Sequence, residues 1–264
     1  MDELLQTYDH FFLAVVVLVG LCLGSFATAA AYRIPRGEQF ITGHSRCPEC
    51  RHTLGLPDLF PLLSWLWLRG RCRHCGVKFG ASYLLIECAT ALLVVLVYLR
   101  FGITPQSGVL ILSVVCMVIL SVVDYEYSTI PDGINITMLY LATLYQIFQH
   151  TPAAHFFLAP VMGVALAYSL RRWMWAWKRQ EGLGLGDVKL AAAIGMFLDA
   201  ERITTFLFIS GVLGIFTAFL WKLRGKGQCF PFGPALCMAL FLCLVVPEVS
   251  QWWQNLLARW VVRA

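Results

Sequence analysis

Apolar residues run almost unbroken through eight stretches of the chain, at 11–31, 83–99, 107–123, 134–148, 155–170, 188–198, 203–221 and 232–246. A helix crossing a hydrocarbon core of roughly 30 Å needs about 20 such residues. The stretch at 188–198 is shorter. At about 1.5 Å rise per residue it covers little more than half a bilayer. The pattern therefore predicts seven membrane helices and an eighth, abbreviated one. Between the first two stretches the pattern changes: residues 32–82 are polar, rich in Gly and Pro, and hold four of the ten cysteines.

Charge supports counting the short stretch as a span. With eight spans and an external N-terminus, Arg100, Arg202, Arg259 and Arg263 lie outside, and the other 16 of the 20 basic residues lie inside. That satisfies the positive-inside bias. With the short stretch outside the membrane, Lys222, Arg224 and Lys226 fall on the wrong side. Asp2, Glu3 and Asp9 precede the first stretch, which is also too long for a signal-peptide core, so it reads as a retained helix. Trp173, Trp175 and Trp177, beside Arg171 and Arg172, read as an interfacial aromatic belt.

Composition agrees: 59% of the 264 residues are hydrophobic, 13% are charged, and the mean hydropathy is +0.72. Such a chain lacks the residues to cover a soluble domain with polar surface. The net charge of +5 reflects membrane orientation rather than a nucleic-acid partner. The expected fold is an all-α polytopic membrane protein of about eight transmembrane helices with a small cytoplasmic zinc-knuckle loop domain. Its expected divisions are a first transmembrane helix at 1–31, the knuckle domain at 32–82, a transmembrane catalytic domain at 83–250, and an amphipathic tail at 251–264, lying along the outer surface.

Within the polar loop, Cys47-Pro-Glu-Cys50 and Cys72-Arg-His-Cys75 form two C-x-x-C pairs 21 residues apart. Each tight turn brings two thiolates to one metal, and two turns complete a tetrahedral site. Four sulfurs favour zinc and leave no position for a catalytic water, so the role is structural. Disulfides or free thiols are the alternatives, and a reducing cytoplasm disfavours disulfides. His52 and His74 lie nearby as bystanders. Cys22, Cys88, Cys116, Cys229, Cys237 and Cys243 lie in or beside apolar stretches, where cysteine packs as a small apolar residue.

Carboxylates are few, with 15 in the chain, so their positions carry information. Asp124 closes the third stretch and Asp187 opens the short sixth one, in Gly184-Leu185-Gly186-Asp187. The charge-derived orientation puts both at one membrane face, and ionisable groups at membrane depth mark functional sites. Two facing carboxylates share a proton: the ionised one takes a proton from water while the neutral one donates to a carbonyl oxygen. That is aspartyl proteolysis. Gly184 and Gly186 would let backbone approach an extended substrate. Other readings remain open: Asp187 as a helix cap, Asp132 as a turn residue between Pro131 and Gly133, Lys189 and Glu126 as interfacial charges, and the acidic pair as a proton relay in a transporter.

Gly24-Ser25-Phe26 with Tyr32-Arg33-Ile34-Pro35 resembles the opening of the bacterial type IV prepilin peptidases. So do the knuckle loop, with Asp58 through Trp65 and Arg69 through Cys72, and the continuation from Tyr83 to Glu87. Asp124 with Ile130-Pro131-Asp132, and Gly184 through Asp187 with Lys189, resemble the peptidase half of that family. The resemblance implies an aspartyl endopeptidase of the bacterial inner membrane that removes basic leaders from type IV prepilins and type II secretion pseudopilins. It implies cleavage after a glycine at the cytoplasmic face, with Asp124 and Asp187 as the catalytic pair. Family members often also N-methylate the new N-terminus from S-adenosylmethionine. The chain departs from the family at Ala27-Thr28-Ala29-Ala30 and at Leu59-Phe60. An intramembrane Gly-x-Gly-Asp protease with other substrates and a structural membrane subunit are the remaining rivals.

Overall fold

The computed structural model describes residues 2–39, 45–47, 49–55, 58, 60–152, 155–178, 184–225, 230–246, 248–249 and 251–253. Each apolar stretch overlaps one helix, and the first and fifth of these helices run eight or nine residues beyond theirs: α1 (Asp2–Arg33), α3 (Ser82–Phe101), α4 (Pro105–Tyr127), α5 (Asp132–Phe148), α6 (His155–Lys178), α7 (Leu185–Phe197), α8 (Ala200–Leu223) and α9 (Gly233–Val245). A one-turn helix, α2 (Leu63–Trp67), lies in the polar loop. Among the described residues the only extended pairing is two isolated antiparallel bridges, Arg46 with Thr53 and Arg71 with Lys78.

Four helices are long and apolar enough to cross a membrane: α1 from His10, α3, α4, and α8 from Arg202. The other four each have a reason to fall short. α5 has 17 residues, α7 and α9 have 13 each, and α6 carries Pro160 inside it and arginines near its end. Arg179, Lys226, Cys229, Arg259 and Arg263, the Trp177 side chain, and the tail beyond Trp253 lie outside the described residues.

The chain divides into two compact units, residues 1–107 and 108–264. In the first, α1 packs on α3 through Gly20 and Gly24, one turn apart. A Cβ on Gly20 would stand 2.7 Å from Ala91 Cα, and one on Gly24 2.7 Å from Glu87 Cα. Small residues four apart let two helix backbones meet where hydrophobicity gives lipid-facing helices no reason to associate.

The second unit is built around α4. Of its most apolar window 67% is buried, against 22% in α1, α3 and α8, so α4 is the helix that its neighbours surround. The α6–α7 crossing has small residues on both sides, with Gly163 against Ala191 and Gly195 against Ala159. The buried Gln146 of α5 donates from Nε2 to the carbonyls of Met196 and Phe197, at 2.7 and 3.2 Å. These carbonyls lie in the last turn of α7, where the helix leaves carbonyl groups to be met from outside. An amide that meets them inside the protein satisfies the end of this short helix.

Candidate active site and metal centre

Asp124 lies one turn before the end of α4 and is only 6% exposed. Its Oδ2 accepts a hydrogen bond of 2.7 Å from the backbone N–H of Gly233, the first residue of α9. The first N–H groups of a helix lack internal partners and carry its positive dipole end, so they suit a carboxylate. Gly233 is required there: a Cβ would stand 2.8 Å from Asp124 Oδ2 and 3.1 Å from its Cβ.

Asp187 stands in the first turn of α7, three residues after Gly184. Its Oδ2 accepts from the Gly184 N–H at 3.2 Å. The residue therefore does cap its helix, from inside the first turn rather than from the cap position. Gly186 meets the turn between α4 and α5: a Cβ there would lie 2.9 Å from Ile130 Cβ. The glycine thus permits internal packing that seats the start of α7. The charge of Asp124 acts on the Asp187 carboxyl. The two aspartates are therefore within electrostatic reach of each other.

Asp132 and Lys189 form a separate pair. Lys189 Nζ donates to Asp132 Oδ1 at 2.7 Å, with side chains 56% and 65% exposed. At that exposure an ion pair is worth at most about 1 kcal/mol. It links the first turn of α5 to the second turn of α7. Around Asp124, Ser121 and the buried Cys237 meet through their side chains, and Arg224 donates to the Tyr125 hydroxyl at 2.9 Å. Sequence reasoning missed Gly233; its available signal was the run Phe230-Pro231-Phe232-Gly233-Pro234, a proline-marked helix start.

In the first unit the sulfurs of Cys47, Cys50, Cys72 and Cys75 lie within 4.8 Å of one another, and none is in a disulfide. Cys47 and Cys75, from different knuckles, are 3.8 Å apart. Four sulfurs about 2.3 Å from a tetrahedral zinc stand about 3.8 Å from each other. The two knuckles repeat one backbone pattern. The Cys47 N–H donates to the His52 carbonyl at 3.0 Å, and the Cys72 N–H to the Val77 carbonyl at 2.9 Å. The residue after each pair, Arg51 or Gly76, takes a left-handed φ of 56° or 72°. Backbone N–H groups of Cys75 and His74 draw the Cys72 thiol down to about 7. Cys75 is pushed up to about 12: the Val77 N–H lowers it, but desolvation and the neighbouring cysteines outweigh that. Four thiols this close cannot all ionise alone, and a divalent cation removes that conflict. The residues fit a structural metal.

Comparison with known proteins follows the same division. A model of the bacterial peptidase A24 N-terminal domain matches residues 18–101, and one of the type IV leader peptidase family matches residues 111–219. A prepilin leader peptidase/N-methyltransferase of Aeromonas salmonicida is 30% identical over 98% of this chain and 96% of its own length. The chain belongs to the type IV leader peptidase family. A Bacillus subtilis relative of the same description is 32% identical over 87% of this chain and 92% of its own length, and one from Dichelobacter nodosus is 30% identical over 91% and 93%. No solved structure matches. In this leader peptidase the N-terminal match contains the four cysteines, and the peptidase match contains Asp124, Asp132, Asp187 and Lys189 but stops before Gly233.

Proposed function

We propose that this protein cleaves the leaders of type IV prepilins or type II secretion pseudopilins after glycine, with Asp124 and Asp187 as the catalytic pair. The observation that carries the reading is the placement of two carboxylates, each held by a backbone N–H, at the end of α4 and the start of α7. They titrate as a unit, with one proton between them. Asp187 carries that proton and donates it to the scissile carbonyl oxygen. Asp124, oriented by Gly233, takes a proton from the attacking water. Asp132 and Lys189 support the site by tying α5 to α7 and touch no reacting atom.

The same reading has all eight long helices in the bacterial inner membrane, α7 and α9 as abbreviated spans, and the pair at the cytoplasmic face. A pilin precursor is itself held in the membrane by its apolar helix, so both partners meet in two dimensions with the scissile bond oriented. Cys47, Cys50, Cys72 and Cys75 would hold a structural Zn2+. Methylation of the new N-terminus from S-adenosylmethionine is the second activity, in keeping with the names that the relatives carry.

Purified protein in detergent, given a prepilin with and without S-adenosylmethionine, tests this by mass spectrometry. Cleavage after the leader glycine is expected, with one added methyl when the donor is present. Intact substrate in the presence of folded enzyme would contradict the peptidase reading. Cleaved but never methylated product would contradict the second activity alone.

A further inference from the structure

Helix α2 has two unlike faces. Ser64, Trp65 and Leu68 turn inward and line an internal cavity together with Glu87 of α3. Leu63, Leu66 and Trp67, spaced i, i+3 and i+4, share the opposite face. They and Phe60, just before the helix, are each more than half exposed, and Trp67 is 86% exposed. Large apolar side chains gathered on one surface mark a contact with something outside the fold.

The same surface carries cations without counter-charges. Arg71 and Lys78 face each other across an antiparallel bridge, which sets their side chains side by side. With Arg69, Trp67 and Leu68 they wall an open groove of about 550 Å³. Among the described residues no carboxylate lines that groove or pairs with its three cations. A positive groove bordering an aromatic and aliphatic face suits an anionic lipid surface. Headgroup phosphates meet the cations there, and the acyl boundary meets the apolar side chains.

Two contacts fix the depth of this surface. The Leu62 N–H, immediately before α2, donates to Glu87 Oε2 at 2.9 Å. Phe79 of the groove packs edge-on against Tyr83, with ring centroids 6.3 Å apart. Tyr83 and Glu87 lie in the first two turns of α3, a helix long and apolar enough to cross a membrane. At about 1.5 Å rise per residue, Glu87 is only about 8 Å along the axis from the start of α3. Helix α2 and its groove are therefore tethered where α3 enters the bilayer, the level at which Trp and Tyr collect.

We infer that α2 and the adjoining groove form a membrane-surface anchor for anionic phospholipid. Leu63, Leu66 and Trp67 enter the acyl boundary, while Arg69, Arg71 and Lys78 take the headgroup phosphates. The inference rests on the reading that α3 spans the bilayer. It holds the four-cysteine loop against lipid instead of leaving it free in the cytoplasm.

The test is tryptophan fluorescence of the full-length protein in phosphatidylcholine nanodiscs that contain a minor share of acyl-brominated phosphatidylglycerol. The signal of Trp67 is the difference between wild type and Trp67→Phe, with an unchanged thermal unfolding midpoint reporting an intact fold. That signal is expected to be quenched by the brominated lipid and shielded from aqueous acrylamide. Brominated phosphatidylcholine at the same share should quench it about fivefold less, the discrimination of one basic residue at an anionic surface. The triple variant Arg69→Gln, Arg71→Gln, Lys78→Gln should lose that preference. Acrylamide that reaches Trp67 freely would show α2 standing in water and overturn the proposal. Shielding without bromine quenching would put a protein surface, such as a second copy of the chain, on this face and overturn it too. Equal quenching by the two lipids would refute the anionic ligand. If brominated lipid quenches none of the nine tryptophans, the membrane-spanning reading fails, and the anchor with it.

Discussion

The backbone N–H of Gly233 reaches Asp124 Oδ2 at 2.7 Å, and the space between the two residues admits no Cβ. A glycine 109 positions away in sequence therefore fixes the side chain on which the proposed chemistry depends. Gly233→Ala is expected to displace the carboxylate and lower the rate of leader cleavage roughly hundredfold, the scale of a misplacement near 1 Å. Single-turnover kinetics on detergent-solubilised enzyme measures this, and a wild-type rate would show that the contact has no catalytic consequence.

Cys72→Ser removes one of four sulfurs grouped within 4.8 Å. Bound zinc should fall from stoichiometric to near zero, and the loop at 45–79 should become sensitive to protease, because the metal is what ties the two knuckles together. Elemental analysis decides it: wild type and variant equally free of zinc would refute the metal centre.

Asp132 bonds to Lys189 across more than half-exposed surface. Asp132→Asn should cost at most about 1 kcal/mol of stability and keep cleavage within about twofold of wild type. A loss of cleavage as deep as that expected for Asp124 or Asp187 variants would make Asp132 a member of the reacting pair.

Helices and the four-sulfur cluster are legible because each leaves a local trace: an apolar run or a paired C-x-x-C; the two aspartates stand out in the sequence only as carboxylates where carboxylates are rare. What was hidden depends on partners distant in sequence. Gln146 reads as an ordinary polar residue near a helix end until it caps α7 at Met196 and Phe197. Gly20 with Gly24, and Gly163 with Gly195, look like background glycines in apolar runs until the helix crossings show that no side chain fits. From the sequence Gly186 suggests room for substrate, and the structure gives it an internal neighbour, Ile130. Spacing likewise could not foresee that Trp65 and Glu87, 22 residues apart, line one cavity.

The central claim is that Asp124 and Asp187 act together as the peptidase pair. Its most direct measurement is the cleavage rate of a prepilin by wild type, Asp124→Asn and Asp187→Asn, each shown to fold by its thermal unfolding midpoint. The account predicts that both variants lose cleavage to background, with the double variant no worse than either single one, as expected of groups that work as a unit. Full cleavage by either variant would remove that aspartate from the mechanism and contradict the account.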